Sequence, residues 1–299
     1  MRRAGGLAAA WAAGLLALVP LARAEMFVSP SLEGSAGYLS NRFAEPRAQG
    51  TAFWRVAPGL ELTAFGPGGL EGWASFRYEH TDFMRPGFSR WRRASGRGGA
   101  AWRTRETELS GAVGVGVYED GAVPGDDLTW FRVESSLSRE LGRGWWASIA
   151  FAFETDRYAS RRTVGGDLQR DYLWEASPGV RVGLSERVSV WVELRLDGLG
   201  SNEPAEEWIG SGVSAGVEGE WGPVRAGWDA GVRRMRYRAR DRTDTPVWAG
   251  GWAAFRLAPG LELTASAGWT GVRSTDPADD YDTWRVEGGV RVVYDLDPH

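Results

Sequence analysis

Residues 188–197 read Val-Ser-Val-Trp-Val-Glu-Leu-Arg-Leu-Asp, and their alternation decides the fold class. Aliphatic residues occupy every even-numbered position from Val188 to Leu196, and Ser, Trp, Glu, Arg and Asp occupy the odd-numbered positions. Successive side chains of a β-strand point to opposite faces, so one face of this stretch is wholly aliphatic. Helical spacing does not fit it. The stretch therefore predicts a strand between an apolar and a polar environment.

The same alternation recurs along the chain, clearly in residues 145–154 and 284–294. Extended over the whole sequence, the alternation predicts fourteen strands, within a range of twelve to sixteen. The predicted strands are residues 27–40, 50–65, 70–84, 94–103, 108–118, 128–139, 145–157, 171–184, 188–198, 208–220, 224–240, 247–257, 261–274 and 284–294.

The connections between these strands alternate in length. Tight turns are expected at residues 66–69, 104–107, 142–144, 185–187, 221–223 and 258–260, and longer charged loops at 41–49, 119–127, 159–170, 200–206 and 275–282. Strands of about ten alternating residues, joined by short periplasmic turns and longer extracellular loops, are typical of a transmembrane antiparallel up-and-down β-barrel of the outer membrane. A periplasmic β-sandwich is the alternative, but its strands need not all be long enough to cross a bilayer.

One octapeptide occurs twice. Ala57–Ala64 is identical to Ala258–Ala265. In the second copy Pro-Gly must form the turn, because both flanking segments can span. A turn in the first copy would leave a strand of six residues, so we expect that strand to run through Pro58, at a bulge or a weakly paired site.

The first residues indicate export. Arg2 and Arg3 precede an apolar stretch, and Ala22-Arg23-Ala24 forms a small-residue cleavage site, so residues 1–24 are predicted to be a cleaved secretory signal peptide. Residues 25–299 are then one barrel domain. The whole chain carries 35 basic residues, all arginine, against 39 acidic ones, and removal of three arginines with the peptide leaves a charge of -7. The near balance predicts no nucleic-acid binding, and the absence of cysteine excludes disulfides and thiolate chemistry.

The C-terminal strand carries a specific resemblance. Glu287, Gly289, Val292 and Tyr294 follow the spacing polar, glycine, hydrophobic and aromatic, which is similar to the terminal assembly signal of bacterial outer-membrane barrels. That signal usually ends on the aromatic residue, whereas residues 295–299 follow here. The resemblance implies a porin-like or export-conduit barrel and recognition by the outer-membrane insertion machinery. It names no substrate.

A search for catalytic groups predicts that the protein is not an enzyme. Gly212-Val-Ser214-Ala-Gly216 matches the G-x-S-x-G pattern, but it lies within a predicted strand instead of a strand-to-helix turn. His80 shares its phase with apolar neighbours and is expected at the membrane interface, and His299 is terminal. The acidic loops lack calcium-loop spacing. We expect no metal and no cofactor.

The polar phase of the strands offers a lumen lining of tryptophan, arginine and glutamate. The residues predicted to line the lumen are Trp73, Trp130, Trp146, Trp191, Trp208, Trp252, Arg97, Arg132, Arg195, Glu134 and Glu193. Indoles beside hydrogen-bonding ions favour saccharide binding, or else these tryptophans form interfacial girdles or fill the lumen within a salt-bridged network. Fourteen strands should leave a narrow aqueous passage unless the lining closes it.

Two arginine clusters are candidates for anion binding: Arg93 and Arg97 on the fourth strand, and Arg234, Arg236 and Arg238 on the eleventh. Seven strands separate them, so they could face each other across the mouth of the barrel. The phase of the eleventh strand puts its arginines on the lipid side unless a bulge at Arg233-Arg234 turns them inward. On the lipid side they would meet lipopolysaccharide phosphates. The two placements stay open from sequence.

The sequence thus predicts an integral outer-membrane barrel in contact with membrane lipid and lipopolysaccharide. Its expected function is a passive channel or conduit for small saccharide-like or anionic solutes. The alternative is a non-conducting structural barrel in a polysaccharide-export or motility complex, with periplasmic envelope proteins as partners. Single-channel recording discriminates between the two.

Overall fold

A computed structural model of the chain describes residues 25–41, 49–85 and 87–294. The predicted signal peptide and residues 295–299 lie outside the described residues. The described part contains fourteen strands at the predicted positions, which confirms the expected count. Their bounds are β1 Glu25–Leu39, β2 Thr51–Phe65, β3 Leu70–Phe83, β4 Trp91–Arg103, β5 Thr107–Asp120, β6 Leu128–Gly142, β7 Trp145–Arg162, β8 Leu168–Gly183, β9 Val188–Ser201, β10 Trp208–Trp221, β11 Val224–Tyr237, β12 Thr243–Ala258, β13 Leu261–Ser274 and β14 Tyr281–Val293.

The sheet closes on itself. Each strand pairs antiparallel with the next one along the chain, and β14 pairs with β1 from Ser31 opposite Val293 to Leu39 opposite Arg285. Closure leaves no unpaired strand edge, which is the condition for crossing hydrocarbon with strands. The fold is therefore the predicted all-β antiparallel up-and-down barrel and not a sandwich. No helix among the described residues is long and apolar enough to cross a membrane.

The two faces of the barrel wall differ as the alternation predicts. On β9 the outward side chains of Val192, Leu194 and Leu196 are 51%, 55% and 51% exposed, while the alternate positions carry the polar set. The one hydrophobic cluster of buried residues in the described part is small and lies inside the barrel, where Phe88 packs against Phe53 and Phe83. No described segment covers the outer apolar surface, so lipid must cover it.

Connection lengths assign the two ends of the barrel. At one end, here called the turn end, residues 66–69, 104–106, 143–144, 184–187, 222–223 and 259–260 connect the strands. At the other, the loop end, every connection has five or more residues, from 163–167 and 238–242 up to 40–50. This is the asymmetry predicted from the sequence, and in outer-membrane barrels the loop end is extracellular.

The duplicated octapeptide adopts two conformations, as predicted. Ala57–Ala64 lies entirely within β2. Neither Ala57 nor Pro58 has a partner on β3, whereas Val56 and Gly59 on either side pair with His80 and Arg77. In the second copy Gly260 has a φ of +72° and forms the turn between β12 and β13. Proline lacks an N–H donor, so a gap in pairing beside Pro58 is where a strand tolerates it.

Three loops at the loop end repeat one structure. Each contains a three-residue 3-10 turn that begins with proline and is followed by an acidic residue whose backbone N–H bonds to the proline carbonyl. The turns are Pro124–Asp126, Pro204–Glu206 and Pro277–Asp279. In two of the loops the following aspartate, Asp127 or Asp280, accepts a hydrogen bond from the backbone N–H of Asp120 or Ser274 at the end of the preceding strand. These acidic residues therefore close the loops.

Candidate functional site: the barrel lumen

The structure places every predicted lumen-lining residue on the inward face. Cross-strand partners share a face, and the inward partners form continuous rings through the sheet. Arg97 lies opposite Ser75 and Gly114, and Arg132 lies opposite Gly114 and Glu154. The predicted lining residues all belong to these rings: Trp73, Trp130, Trp146, Trp191, Trp208, Trp252, Arg97, Arg132, Arg195, Glu134 and Glu193.

Several inward tryptophans lie flat over a glycine of the neighbouring strand. A Cβ built on Gly216 would come within 2.7 Å of the Trp191 indole, and Gly99 and Gly227 stand in the same relation to Trp73 and Trp252. Aromatic rings that cover cross-strand glycines protect the exposed backbone and fix the register. Sequence reasoning missed this packing, because the pairing of each tryptophan with its glycine depends on the register between neighbouring strands.

Some of the inward indoles also contact an arginine. The guanidinium of Arg97 lies 5.3 Å from the Trp73 ring centroid, and that of Arg233 lies 4.4 Å from the Trp208 ring. Arg93 stacks on Trp130 at 5.6 Å. Trp73 and Trp130 each contact both a cross-strand glycine and an arginine. Trp73 and Trp130 thus offer little free surface for stacking on a sugar ring.

Ion pairs cross-link the inward side chains near the closure of the barrel. Arg55 on β2 contacts Glu33, Glu79 at 3.2 Å and Glu287 at 2.7 Å. Arg77 contacts Glu33 at 2.8 Å, and Arg285 contacts Glu287 at 2.6 Å. These ion pairs join the four strands β14, β1, β2 and β3 through their side chains, in addition to the backbone pairing between neighbouring strands.

A second and a third group of ion pairs lie farther around the wall. Arg132 bonds Glu134 at 2.5 Å and Glu154 at 3.3 Å, and Arg97 also contacts Glu134. On the opposite side Asp197 accepts from Arg195 at 2.8 Å and from Arg233 at 2.6 Å. These networks bring the predicted lining residues Arg97, Arg132, Arg195 and Glu134 into direct contact with charged partners. Glu193 has no arginine partner in the described part.

Water reaches much of this lining. The inward side chains of Arg97 and Arg181 remain 50% and 53% exposed despite their ion pairs. A cavity of about 400 Å³ lies between Arg77, Glu79 and Arg132 on the inner wall. Fourteen strands spaced about 4.8 Å apart and tilted by about 40° give a backbone radius of roughly 14 Å, more than inward side chains of this length can fill. The lumen is therefore a water-accessible, charged interior and not a packed core.

The lumen wall carries more negative than positive groups. Over the regularly paired parts of the strands, inward positions hold thirteen arginines and twenty-one carboxylates, an excess of eight carboxylates. The excess is concentrated on β7 to β13, where inward positions hold five arginines and eleven carboxylates. Those carboxylates are Glu154, Asp156, Asp171, Glu175, Glu193, Asp197, Glu218, Glu220, Asp229, Asp244 and Glu262.

The structure separates the two arginine clusters that were candidates for anion binding. Arg93 and Arg97 point inward. The β10–β11 register is continuous from Trp208 opposite Tyr237 to Trp221 opposite Val224, so no bulge turns β11 there. Arg234 and Arg236 therefore share the outward face with Val232, and Arg238 follows in the adjoining loop. The hypothesis of two positive walls facing each other inside the mouth is wrong, because only one of them is inside.

Ser214 and His80, which were considered for catalysis, lie on different strands and on opposite faces of the barrel wall. Ser214 is in the middle of β10, opposite Glu193 and Gly231, and His80 is on the outward face of β3, where its ring lies 5.2 Å from that of Trp54. His299 lies outside the described residues. In residues 25–41, 49–85 and 87–294, no group of three or more His, Asp or Glu side chains could hold a metal ion.

The residues of the C-terminal signal divide between the two faces. Glu287 and Gly289 point inward, and Val292 points outward, since it pairs with Leu261 and Leu32. Tyr294 follows the end of β14 at 64% exposure, and its backbone N–H bonds the Pro30 carbonyl at 3.0 Å. Glu287 and Gly289 thus belong to the lumen wall and Val292 to the lipid-facing wall, and recognition by the insertion machinery stays a prediction.

Comparison with solved structures shows the fold alone. The barrel is similar to the anion-selective porin of Comamonas acidovorans, with a TM-score of 0.50 and 11% identity over 91% of this chain and 100% of that one. It is similar to the toluene transporter TodX of P. putida, with a TM-score of 0.50 and 9% identity over 92% and 91% of the two chains.

A bacterial polysaccharide outer-membrane secretin has a TM-score of 0.51 and 11% identity, over 89% of this chain and 98% of that one. No protein-family model matches the sequence, and no curated protein matches it. The chain thus has the architecture of an integral bacterial outer-membrane β-barrel that resembles porins and channels, and membrane lipid surrounds its apolar outer wall.

Proposed function

We propose that the barrel is a passive outer-membrane channel for small polar solutes, and that it favours cations over anions. The observation that supports this most directly is the water-accessible lumen with its excess of eight inward carboxylates. A charged, low-dielectric wall raises the local concentration of counter-ions, so a net negative wall favours cations.

The position of the unpaired charges supports the same selectivity. Most inward arginines have a carboxylate partner, as Arg225 has with Glu262 at 2.8 Å and Arg195 with Glu175 at 2.6 Å. Asp229, by contrast, lies between Gly216 and Gly250 and has no arginine partner among the described residues. Paired charges cancel at the distance of a passing ion, whereas an unpaired carboxylate does not.

The anionic solutes suggested by the sequence lose their main support. The β11 arginines that would have attracted them point to the lipid side, and Arg97 is neutralised by Glu134. One solved structure of similar fold is an anion-selective porin, but a likeness at 11% identity carries no lumen charge with it. Saccharides remain candidate solutes at the exposed indole of Trp252, which is 42% exposed.

A structural barrel is the second candidate function. The cross-linking ion pairs around Arg55 support it, because such networks rigidify a barrel that anchors other envelope proteins. Similarity to a polysaccharide outer-membrane secretin agrees with an envelope machine of that kind in fold only. The half-exposed arginines of the lumen favour the channel.

Recording from purified protein in planar bilayers tests the proposal. The channel predicts discrete conductance steps after insertion. Liposome swelling with neutral monosaccharides and with solutes of either charge then ranks permeation, and basic solutes should exceed acidic ones of equal size. Folded, inserted protein with no conductance would reject the channel in favour of the structural barrel.

A further inference from the structure

Two arginines lie directly opposite each other on the outward face at the loop end. Arg157 of β7 pairs in register with Arg170 of β8, and both side chains are exposed. On the next rung Asp156 lies opposite Asp171, but these two point into the lumen. Like charges at directly opposed positions destabilise a sheet, and the sheet itself separates these arginines from the aspartates.

Neither guanidinium has an ion-pair partner among the described residues. Two other outward arginines at the loop end do have one: Arg273 bonds Asp282 at 2.9 and 3.0 Å, and Arg92 lies 4.0 Å from Glu119. The barrel wall therefore neutralises some of its rim charges internally and leaves the β7–β8 pair to another partner.

β11 repeats the arrangement three strands away. Arg234 and Arg236 are exposed on one face, and their cross-strand neighbours Ser211, Ile209 and Thr243 carry no charge. Inward Arg233, which directly precedes them in sequence, is paired with Asp197 at 2.6 Å. Here too the arginines that lack a partner are those that face away from the lumen.

The height of these arginines places them at the edge of the apolar wall. Arg234 is ten residues from the start of β11, which corresponds to about 25 Å along the membrane normal for a tilted strand and matches the usual apolar band. Below Arg170 on the same face lie Tyr172 and Trp174, which are 44% and 43% exposed. Exposed aromatic residues mark the membrane interface.

We propose that these outward arginines bind the phosphates of an outer-leaflet lipid headgroup, and that Arg157 and Arg170 share one phosphate. A phosphate between two guanidinium groups accepts bidentate hydrogen bonds from each and turns their repulsion into two attractions. The ligand must carry phosphate beside an apolar tail, because the wall directly below the arginines is apolar. Lipopolysaccharide has this chemistry in its diphosphorylated lipid A anchor.

Thermal melting of the purified barrel in neutral detergent tests the site. Wild-type protein, Arg157→Ser/Arg170→Ser and Arg234→Ser/Arg236→Ser are melted alone, with diphosphorylated lipid A, with dephosphorylated lipid A of the same acyl chains, and with inorganic phosphate. The matched control is Arg139→Ser/Arg187→Ser, two exposed arginines at the turn end that have no ion pair among the described residues.

In the wild type and the control, the diphosphorylated lipid should raise the melting temperature more than the dephosphorylated one. The Arg157→Ser/Arg170→Ser variant should lose at least half of that difference. Without lipid it should melt at or above the wild-type temperature, because its like-charge pair is gone, and this separates lost binding from lost folding. Equal responses to the two lipids in the wild type, or an undiminished difference in either rim variant, would overturn the proposal. A full response to inorganic phosphate alone would overturn the lipid as ligand.

Discussion

Glu287 of β14 lies 2.7 Å from Arg55 of β2, and β1 runs between the two strands. The same carboxylate accepts a hydrogen bond from Ser35 of β1 at 2.5 Å. One side chain thus joins the last strand to the first two, at the seam where the barrel closes. Glu287 is also the polar residue of the C-terminal resemblance, so a residue expected to serve assembly has a structural role in the closed state.

Glu287→Gln should weaken the seam. Arg55 keeps Glu33 and Glu79, but it loses its charged contact with β14, and Arg285 loses its carboxylate partner. We expect the free energy of unfolding to fall by about 1–3 kcal/mol in urea titrations in lipid vesicles. Glu186→Gln, in an exposed turn, is the control and should change little. Equal effects would show that the seam pair contributes nothing.

Lipid facing can be tested on adjacent residues of β9. Val192→Arg puts a charge on the outward apolar face and should lower the free energy of unfolding by about 2–4 kcal/mol. Glu193→Arg puts the same side chain on the wet inner face and should cost much less. Similar losses for the two variants, by the same vesicle titration, would mean that the faces are misassigned.

The tryptophan–glycine pairs predict a local packing penalty. Gly216→Ala places a methyl group against the Trp191 indole and should lower the free energy of unfolding by about 1–3 kcal/mol, as overpacking does. Gly200→Ala is the control, since no atom lies within 4 Å of its added Cβ. Near-ultraviolet circular dichroism should change only in the first variant. An unchanged spectrum there would contradict the packing.

Processing of the N-terminus is a separate prediction. Intact mass measurement of protein from outer-membrane fractions should give a chain that begins at Glu25, because Ala22 and Ala24 form the cleavage site. A closed barrel resists detergent unfolding, so the same band should shift on gels when heated. A retained residue Met1, or recovery in the soluble periplasm, would be incompatible with the predicted export.

The sequence was sufficient for the architecture because alternation and turn chemistry are local. The fourteen strands, the faces of β9 and the strand that continues through Pro58 follow from period two and from the minimum length of a spanning strand. Side-chain contacts between strands could not be predicted from the sequence. The choice between a flat and a bulged β11 depended on the register with β10, and the partners of Arg55 depend on closure between residues more than 200 positions apart.

The role of the inward tryptophans also could not be predicted without the register between strands. Their inward phase was predictable, but their use was not, because a ring over Gly216 or Gly99 and a free sugar-stacking platform have the same alternation pattern. Which of the two occurs depends on the residue opposite on the next strand. Register therefore decides what the lining can bind.

Reversal potential in a planar bilayer tests the central claim most directly. Under a potassium chloride gradient, single channels of the wild-type barrel should conduct and reverse at a potential of the sign expected for cation preference, and Asp229→Asn should move that potential toward zero. Verified insertion without conductance would contradict the channel, and a reversal potential of the opposite sign would contradict the role of the lumen carboxylates.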